Sequence, residues 1–352
     1  MCINYGQKNP WGGDEWFSYE NFTIMGLPFS ILTSIMKNIL GEVSLANFWI
    51  YRQQGLVWST LLYLIFTLVL IKRDNKDING FLIFYLLFIS VNPYVIQTIE
   101  FFRYYALYFF STSMFTLFIL YNDDKYIEKR YLFFLSIVCS FFIHLFLFIQ
   151  IITYVLFKEI MYVKKKIHFI TFAVIIVLFA FPYLPEIISY IFNSLFPMYH
   201  YDYSFIHRGI SLSTFIKPIM AIYTFLFGSY QIPLSSYSID ILFTVYGIMI
   251  IYGFYKLLSD HNIYHPIFLA GVLPFIISIF LIEPLSLPAM TQIAPHHVLF
   301  LFPWLVFIFY FITFKSKSRI SFITFLCFGT IYASYSHHNV DFINYGKILD
   351  KL

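Results

Sequence analysis

Nine apolar runs recur along the 352-residue chain, at about 56 to 71, 80 to 92, 104 to 121, 131 to 157, 167 to 181, 240 to 255, 265 to 282, 298 to 314 and 319 to 335. Runs of this length suit helices that cross the ~30 Å hydrocarbon core of a bilayer. The run from 131 to 157 is too long for one straight span and carries His144 at its middle. It predicts two short helices that meet at the far membrane face, bringing the number of crossings to about ten. Composition agrees: 60% of residues are hydrophobic and 11% charged, where soluble domains carry about 25% charge. The expected fold class is therefore all-α, a polytopic integral membrane protein.

Basic residues sort the loops. Fourteen of the 22 Lys and Arg fall in loops around Lys72, Lys125, Lys158, Lys256 and Lys315, which makes those loops cytoplasmic. Residues 1–55, 93–103, 182–239, 283–297 and 336–352 then lie outside, giving an elaborate outer face. The first outer loop, 1–55, contains two apolar stretches that suit interfacial helices: Phe22 to Leu40, broken by Pro28, Lys37 and Asn38, and the aromatic Leu45 to Trp58. With no signal peptide ahead of this outer segment, a transmembrane helix preceding Met1 is expected. No internal repeat or linker divides the chain, so 1–352 reads as one membrane-embedded domain.

Several function classes drop out. The net charge of +4 is scattered and forms no basic stripe, so nucleic acid is not a partner. Cys2, Cys139 and Cys327 are too far apart for a zinc site or a disulfide framework. Phosphate-cradling glycine loops, GxSxG elbows and HExxH pairs are absent from the sequence.

The candidate chemistry lies among ionisable residues of the outer segments, where they are costly unless paired or used. In Trp11-Gly12-Gly13-Asp14-Glu15-Trp16-Phe17-Ser18, a glycine turn presents two carboxylates among aromatics. Asp14, half-shielded, has the character of a general base, or alternatively of a helix N-cap. In Glu100-Phe101-Phe102-Arg103-Tyr104-Tyr105, the three-residue and four-residue spacings place Glu100, Arg103 and Tyr104 on one helical face. Arg103 there suits phosphate oxygens, or an ordinary ion pair at a helix end. His144 is a lone imidazole between apolar half-helices, which equally suits a packing role. His296 and His297 sit at the mouth of a late helix. Glu186, His200, Asp202, His207 and Arg208 lie in the outer loop region 182–239, where they could cover a site.

Taken in order, these motifs resemble the polytopic glycosyltransferases of the GT-C superfamily. The carriers of the resemblance are Asp14-Glu15-Trp16-Phe17-Ser18, Glu100-x-x-Arg103-Tyr104-Tyr105-Ala106-Leu107, His144 within an apolar hairpin, and Pro295-His296-His297-x-Leu299-Phe300-x-x-Pro303. The branch most similar is that of bacterial mannosyltransferase-like and aminoarabinose-transferase-like enzymes. It implies transfer of a sugar from a polyprenyl-phosphate carrier to a glycan or lipid acceptor, on the extracytoplasmic face of the inner cell membrane. By this resemblance Asp14 is the catalytic carboxylate with Glu15 beside it, and Arg103 meets the carrier phosphate. Glu100, Tyr104, His144, Arg208, His296 and His297 complete the expected substrate-binding set. The sequence departs from the pattern in three places: no helix precedes Asp14, no His-Pro-Pro follows between 21 and 55, and the usual Arg-Tyr of the late motif is His296-His297. No cofactor is assigned, and a role for a divalent metal stays open. The chemistry fits: positive charge develops at the anomeric carbon and negative charge on the leaving phosphate, so a single inverting displacement needs one base and nearby cations. The alternatives are an envelope oligosaccharide polymerase, for which 182–239 holds few basic residues, and a transporter, for which no repeat is visible.

Overall fold

The computed structural model describes residues 26–43, 47–72, 76–100, 103–162, 266–282 and 299–315, with the single positions 248, 252 and 255. The described residues are helical, with no strand among them. In order they form α1 (Leu27–Leu40), α2 (Phe48–Arg52), α3 (Gln54–Lys72), α4 (Lys76–Val91), α5 (Pro93–Glu100), α6 (Tyr105–Asn122), α7 (Arg130–Phe141) and α8 (Leu145–Tyr162). A π-helical turn (Phe268–Val272), α9 (Leu273–Ile282) and α10 (Phe302–Lys315) follow. The expected runs at 167–181 and 319–335, and nearly all of 240–255, lie outside the described residues.

The elements start and stop where local chemistry dictates. Pro28, expected to break the first apolar stretch, instead opens it: in the first turn of α1 it removes an N–H that has no intrahelical partner. Gly26 before the helix takes the left-handed conformation, and Gly41 after it also has a positive φ. α5 begins with Asn92-Pro93, where the Asn92 side chain accepts a hydrogen bond from the Val95 amide at 3.1 Å. The run from 131 to 157 does divide in two, as α7 and α8 joined by a tight turn at residues 142 to 144.

α6 and α8 run side by side in the same direction. Tyr108 meets His144 at their beginnings, and Asp123 meets Lys158 at their far ends. Eighteen residues each make them about 27 Å long. α7 returns between them, and α10 packs antiparallel to α4, with Phe302 against Tyr85 and Phe88 and Tyr310 against Phe81 and Phe84.

Polar links tie the helices together through this aromatic interior. Tyr85 meets Ser113 there at 2.6 Å, and Tyr63 meets Ser90 at the same distance on the exposed side. Gln150, with no exposed surface, accepts from Thr112 at 3.0 Å and donates to the Ala270 carbonyl at 2.8 Å. The last bond has a covalent reason. Residue 274 is proline, so it has no N–H to give to the carbonyl four residues earlier, and Gln150 supplies one from another helix. Close backbone approach needs glycine at position 55, where a Cβ would collide with the Ile99 carbonyl; a Cβ at Gly271 would lie 3.2 Å from the Trp304 ring.

At the far ends of α6 and α8 sits a buried charged cluster. Lys158, its side chain 1% exposed, pairs with Asp123 at 2.6 Å, and Tyr154 donates to the same carboxylate oxygen at 2.6 Å. Glu159 receives a forked pair of bonds from Arg130 and a third from Tyr126 at 2.7 Å. Burial, then the bond to Glu159, pushes the Tyr126 phenol well above its ordinary range, so it remains a donor.

Trp49–Lys72 is the segment among the described residues that is long and apolar enough to cross a membrane, by length and composition; Leu27–Leu40, Ile78–Ser90, Arg130–Phe141, Phe268–Ile277 and Leu299–Phe311 are shorter apolar helices. On α3 the exposed positions Val57, Leu61, Leu64, Leu68 and Ile71 form one stripe at three- and four-residue spacing, and on α1 Ile31, Ile35 and Ile39 do the same.

The Gln150 bridge yields a stability prediction. Gln150→Leu keeps the volume but strands the Ala270 carbonyl and the Thr112 hydroxyl, at a cost of about 1–3 kcal/mol for each unsatisfied group. Thermal unfolding in detergent should show the loss, and Gln150→Glu, which still accepts from Thr112 but sets a buried carboxylate oxygen against the Ala270 carbonyl, should lose at least as much.

Candidate functional site

The end of the bundle opposite the Asp123–Lys158 pair brings three separate segments together. They are the start of α1, the start of α6 and the turn between α7 and α8. The Phe142 carbonyl, in that turn, accepts from the amides of both Gly26 and Leu27 at 2.9 Å. Those two N–H groups open α1 and have no acceptor within it, so the turn acts as their cap. The left-handed conformation of Gly26 lets the chain come in beside Tyr104, and a Cβ there would lie 3.0 Å from the Tyr104 Cβ.

His144 stands at the centre of this junction, 5% exposed. It is the residue preceding α8, and its Nδ1 accepts from the Phe146 amide at 3.2 Å. The imidazole therefore caps α8. With Nδ1 accepting, the hydrogen of the neutral ring sits on Nε2. Tyr108 stacks on the ring with centroids 3.9 Å apart and planes 5° from parallel, and Tyr104 tilts against it at 5.4 Å. Nδ1 is committed to the backbone, so the ring's donor is Nε2–H.

Arg103 lies one residue before the Tyr104 that starts α6. Its guanidinium carbon stands 5.3 Å from the Tyr105 ring centre and 5.6 Å from that of Tyr104. Stacking on a ring uses the face of a guanidinium, whereas its N–H groups lie in the plane, the geometry in which arginine forks a phosphate.

One expectation needs correction. Glu100, Arg103 and Tyr104 do not share one helical face, because α5 ends at Glu100 and Arg103 and Tyr104 belong to the turn that opens α6. The physical reason is packing: α5 lies across the beginning of α3, where Gly55 admits Ile99, while α6 runs the length of the bundle, and one straight helix could not do both. Arg103, Tyr104 and His144 do come together. Asp14, Glu15, Arg208, His296 and His297 lie outside the described residues, as do Glu186, His200, Asp202 and His207, and the Glu100 side chain is likewise not described.

Three participants were missed in the sequence. Tyr108 carried a signal, since it follows Tyr104 by four residues on the face that meets His144. Tyr105 has no sequence signal beyond its place between Tyr104 and Ala106 in the Glu100–Leu107 motif. Gly26 carried none, because its role depends on Tyr104, which is 78 positions away.

The capping geometry predicts a split between two substitutions. His144→Ala removes the cap and should lower stability by about 1 kcal/mol, whereas His144→Asn, a strong capping residue, should recover most of it. Thermal unfolding of the two variants in detergent checks this.

No protein-family model matches this chain, and no curated protein or solved structure matches it either.

Proposed function

We propose that this chain is a polytopic membrane glycosyltransferase that takes a sugar from a polyprenyl-phosphate carrier and delivers it to an envelope glycan or lipid on the extracytoplasmic face. The observation that carries the reading is the junction of Arg103, Tyr104, Tyr108 and His144 at one end of the helices, with the buried lysine and glutamate pairs at the other.

The membrane part of the reading draws support from the distribution of polarity. Stripes of Ile and Leu face outward on α1 and α3, while Thr112, Ser113, Gln150 and Thr153 are buried inside. That arrangement is costly in water and favourable in lipid, where apolar outer faces need no cover and polar groups must find partners within the protein. The end holding Lys125, Lys129 and Lys158 is the cytoplasmic one, which sets the Arg103 end outside.

In the reaction, the Arg103 fork binds the carrier phosphate and stabilises the charge that grows on it as the glycosidic bond breaks. The imidazole of His144 holds the turn and offers Nε2–H to the same region. Asp14 takes the proton from the acceptor hydroxyl as that oxygen attacks the anomeric carbon from the opposite face, giving inversion. Tyr104, Tyr105 and Tyr108 supply flat surfaces for the sugar or its lipid linkage.

The test is transfer from a radiolabelled polyprenyl-phosphate sugar in membranes. Asp14→Asn should reduce turnover by about 10²–10⁴-fold. Arg103→Ala should cost roughly 10- to 100-fold, consistent with loss of a charged hydrogen bond. Full activity of the Asp14 variant would refute the assignment of the base. Cysteine labelling at positions 15 and 100 adds a topological check: both should react from outside, and opposite accessibility would rule out a shared pocket.

A further inference from the structure

We propose that the face of α3 bearing Gln54 and Trp58, beside the Arg103 junction, binds the hydroxyls of the sugar carried by the lipid phosphate. This rests on the glycosyltransferase reading and names where its sugar would sit. Gln54 is 2% exposed. Its Nε2 donates to the Thr33 hydroxyl of α1 at 2.9 Å, yet its Oε1 is buried with no hydrogen-bond partner. One turn further along α3, the indole Nε1 of Trp58 is also buried and without a hydrogen-bond partner. Residues four apart share a helical face, so an acceptor and a donor, both unmet, stand about 5–6 Å apart at their Cβ atoms.

Unmet buried polar atoms cost about 1–3 kcal/mol each and are uncommon in native proteins. Here two occur together, and their chemistry is complementary to a diol: a sugar hydroxyl can donate to Gln54 Oε1 while its neighbour accepts from Trp58 Nε1. The surroundings suit a sugar ring as well. Trp58 packs against Phe110 with ring centres 5.9 Å apart, and both border the small core of Phe29, Tyr51 and Leu107 that Tyr104 also joins. Tyr104 is thus common to this face and to the His144 junction, which makes the two neighbours.

α1 covers the face and sets access to it. Its inward side presents Phe29, Ser30 and Thr33, and its outward side is the Ile31, Ile35, Ile39 stripe. Thr33 already gives a hydroxyl to the Phe29 carbonyl at 2.9 Å and receives the Gln54 amide, so it occupies one of the places a sugar hydroxyl would take. Entry of the sugar exchanges that bond for one to the ligand.

Binding of lipids to the full chain in detergent micelles distinguishes the outcomes. The probes are undecaprenyl phosphate linked to glucose, galactose or mannose, and undecaprenyl phosphate without sugar. The wild type should bind at least one sugar-linked carrier more tightly than the bare one. Gln54→Leu should weaken that carrier about tenfold and leave the bare carrier unchanged, with Trp58→Phe acting in the same direction; Arg103→Ala should weaken both carriers alike. If Gln54→Leu and Trp58→Phe keep the wild-type preference for sugar, or if the wild type shows no such preference, the subsite is overturned while the transferase reading stands. If the wild type binds no carrier at all, both fall. Should Gln54→Leu lose both carriers together, the milder Trp58→Phe decides: loss confined to the sugar-linked carrier supports the subsite, and equal loss overturns it.

Discussion

A carbonyl or amide enclosed by apolar side chains has to find its partner inside the protein, since no water is there to stand in. The Ala270 carbonyl states the problem in its simplest form. Pro274 removes its ordinary donor, the backbone relaxes into a π-helical turn, and the amide of Gln150 arrives from α8 to replace what is missing. The same glutamine then has an oxygen to satisfy, which Thr112 on α6 does. One covalent peculiarity in one helix thereby fixes the spacing of three, and the aromatic packing of α10 on α4 and α6 builds on that spacing.

The two ends of this frame solve the problem differently. At the Asp123–Lys158 end, charges are matched to one another and to tyrosines, and the carboxylates of Asp123 and Glu159 both have close donors. Such a closed network costs a great deal to break and has little to offer a ligand. At the Gly26 end the partners are backbone groups: the Phe142 carbonyl takes two amides, and His144 takes a third. The cationic side chain there, Arg103, leans on tyrosine rings. A guanidinium beside aromatic rings adds a cation–π contact to that end of the frame.

Much of the helical frame was legible in the sequence because its signals are periodic or local. The apolar runs at 56–71, 80–92, 104–121, 265–282 and 298–314 correspond to α3, α4, α6, the π turn with α9, and α10; the division at His144 follows from a run too long for one helix. Pro28 was misread because proline is disruptive inside a helix and harmless at its start, and sequence alone does not say which turn it occupies. The supposed Glu100–Arg103–Tyr104 face failed for a related reason. Spacing rules hold only along one unbroken helix, and the break between α5 and α6 is imposed by where each packs. The Gln150 bridge, the Gly26–Tyr104 approach and the orphan atoms of Gln54 and Trp58 join residues far apart or depend on what surrounds them, so no local pattern announces them.

The roles of the two basic side chains at the junction can be separated on geometry. A histidine whose Nδ1 caps a helix is held in one tautomer, and protonating that nitrogen would set a second hydrogen against the Phe146 amide. In that tautomer the ring's hydrogen sits on Nε2. Arg103 is charged at all relevant pH values and is held by tyrosine faces beside the same turn. Under the transferase reading proposed above, the carrier phosphate would meet the charge of Arg103 at this end, beside the His144 turn. That charge suits a leaving phosphate, whose negative charge grows during bond cleavage and needs a fixed positive charge, not a proton that would have to be released again afterwards.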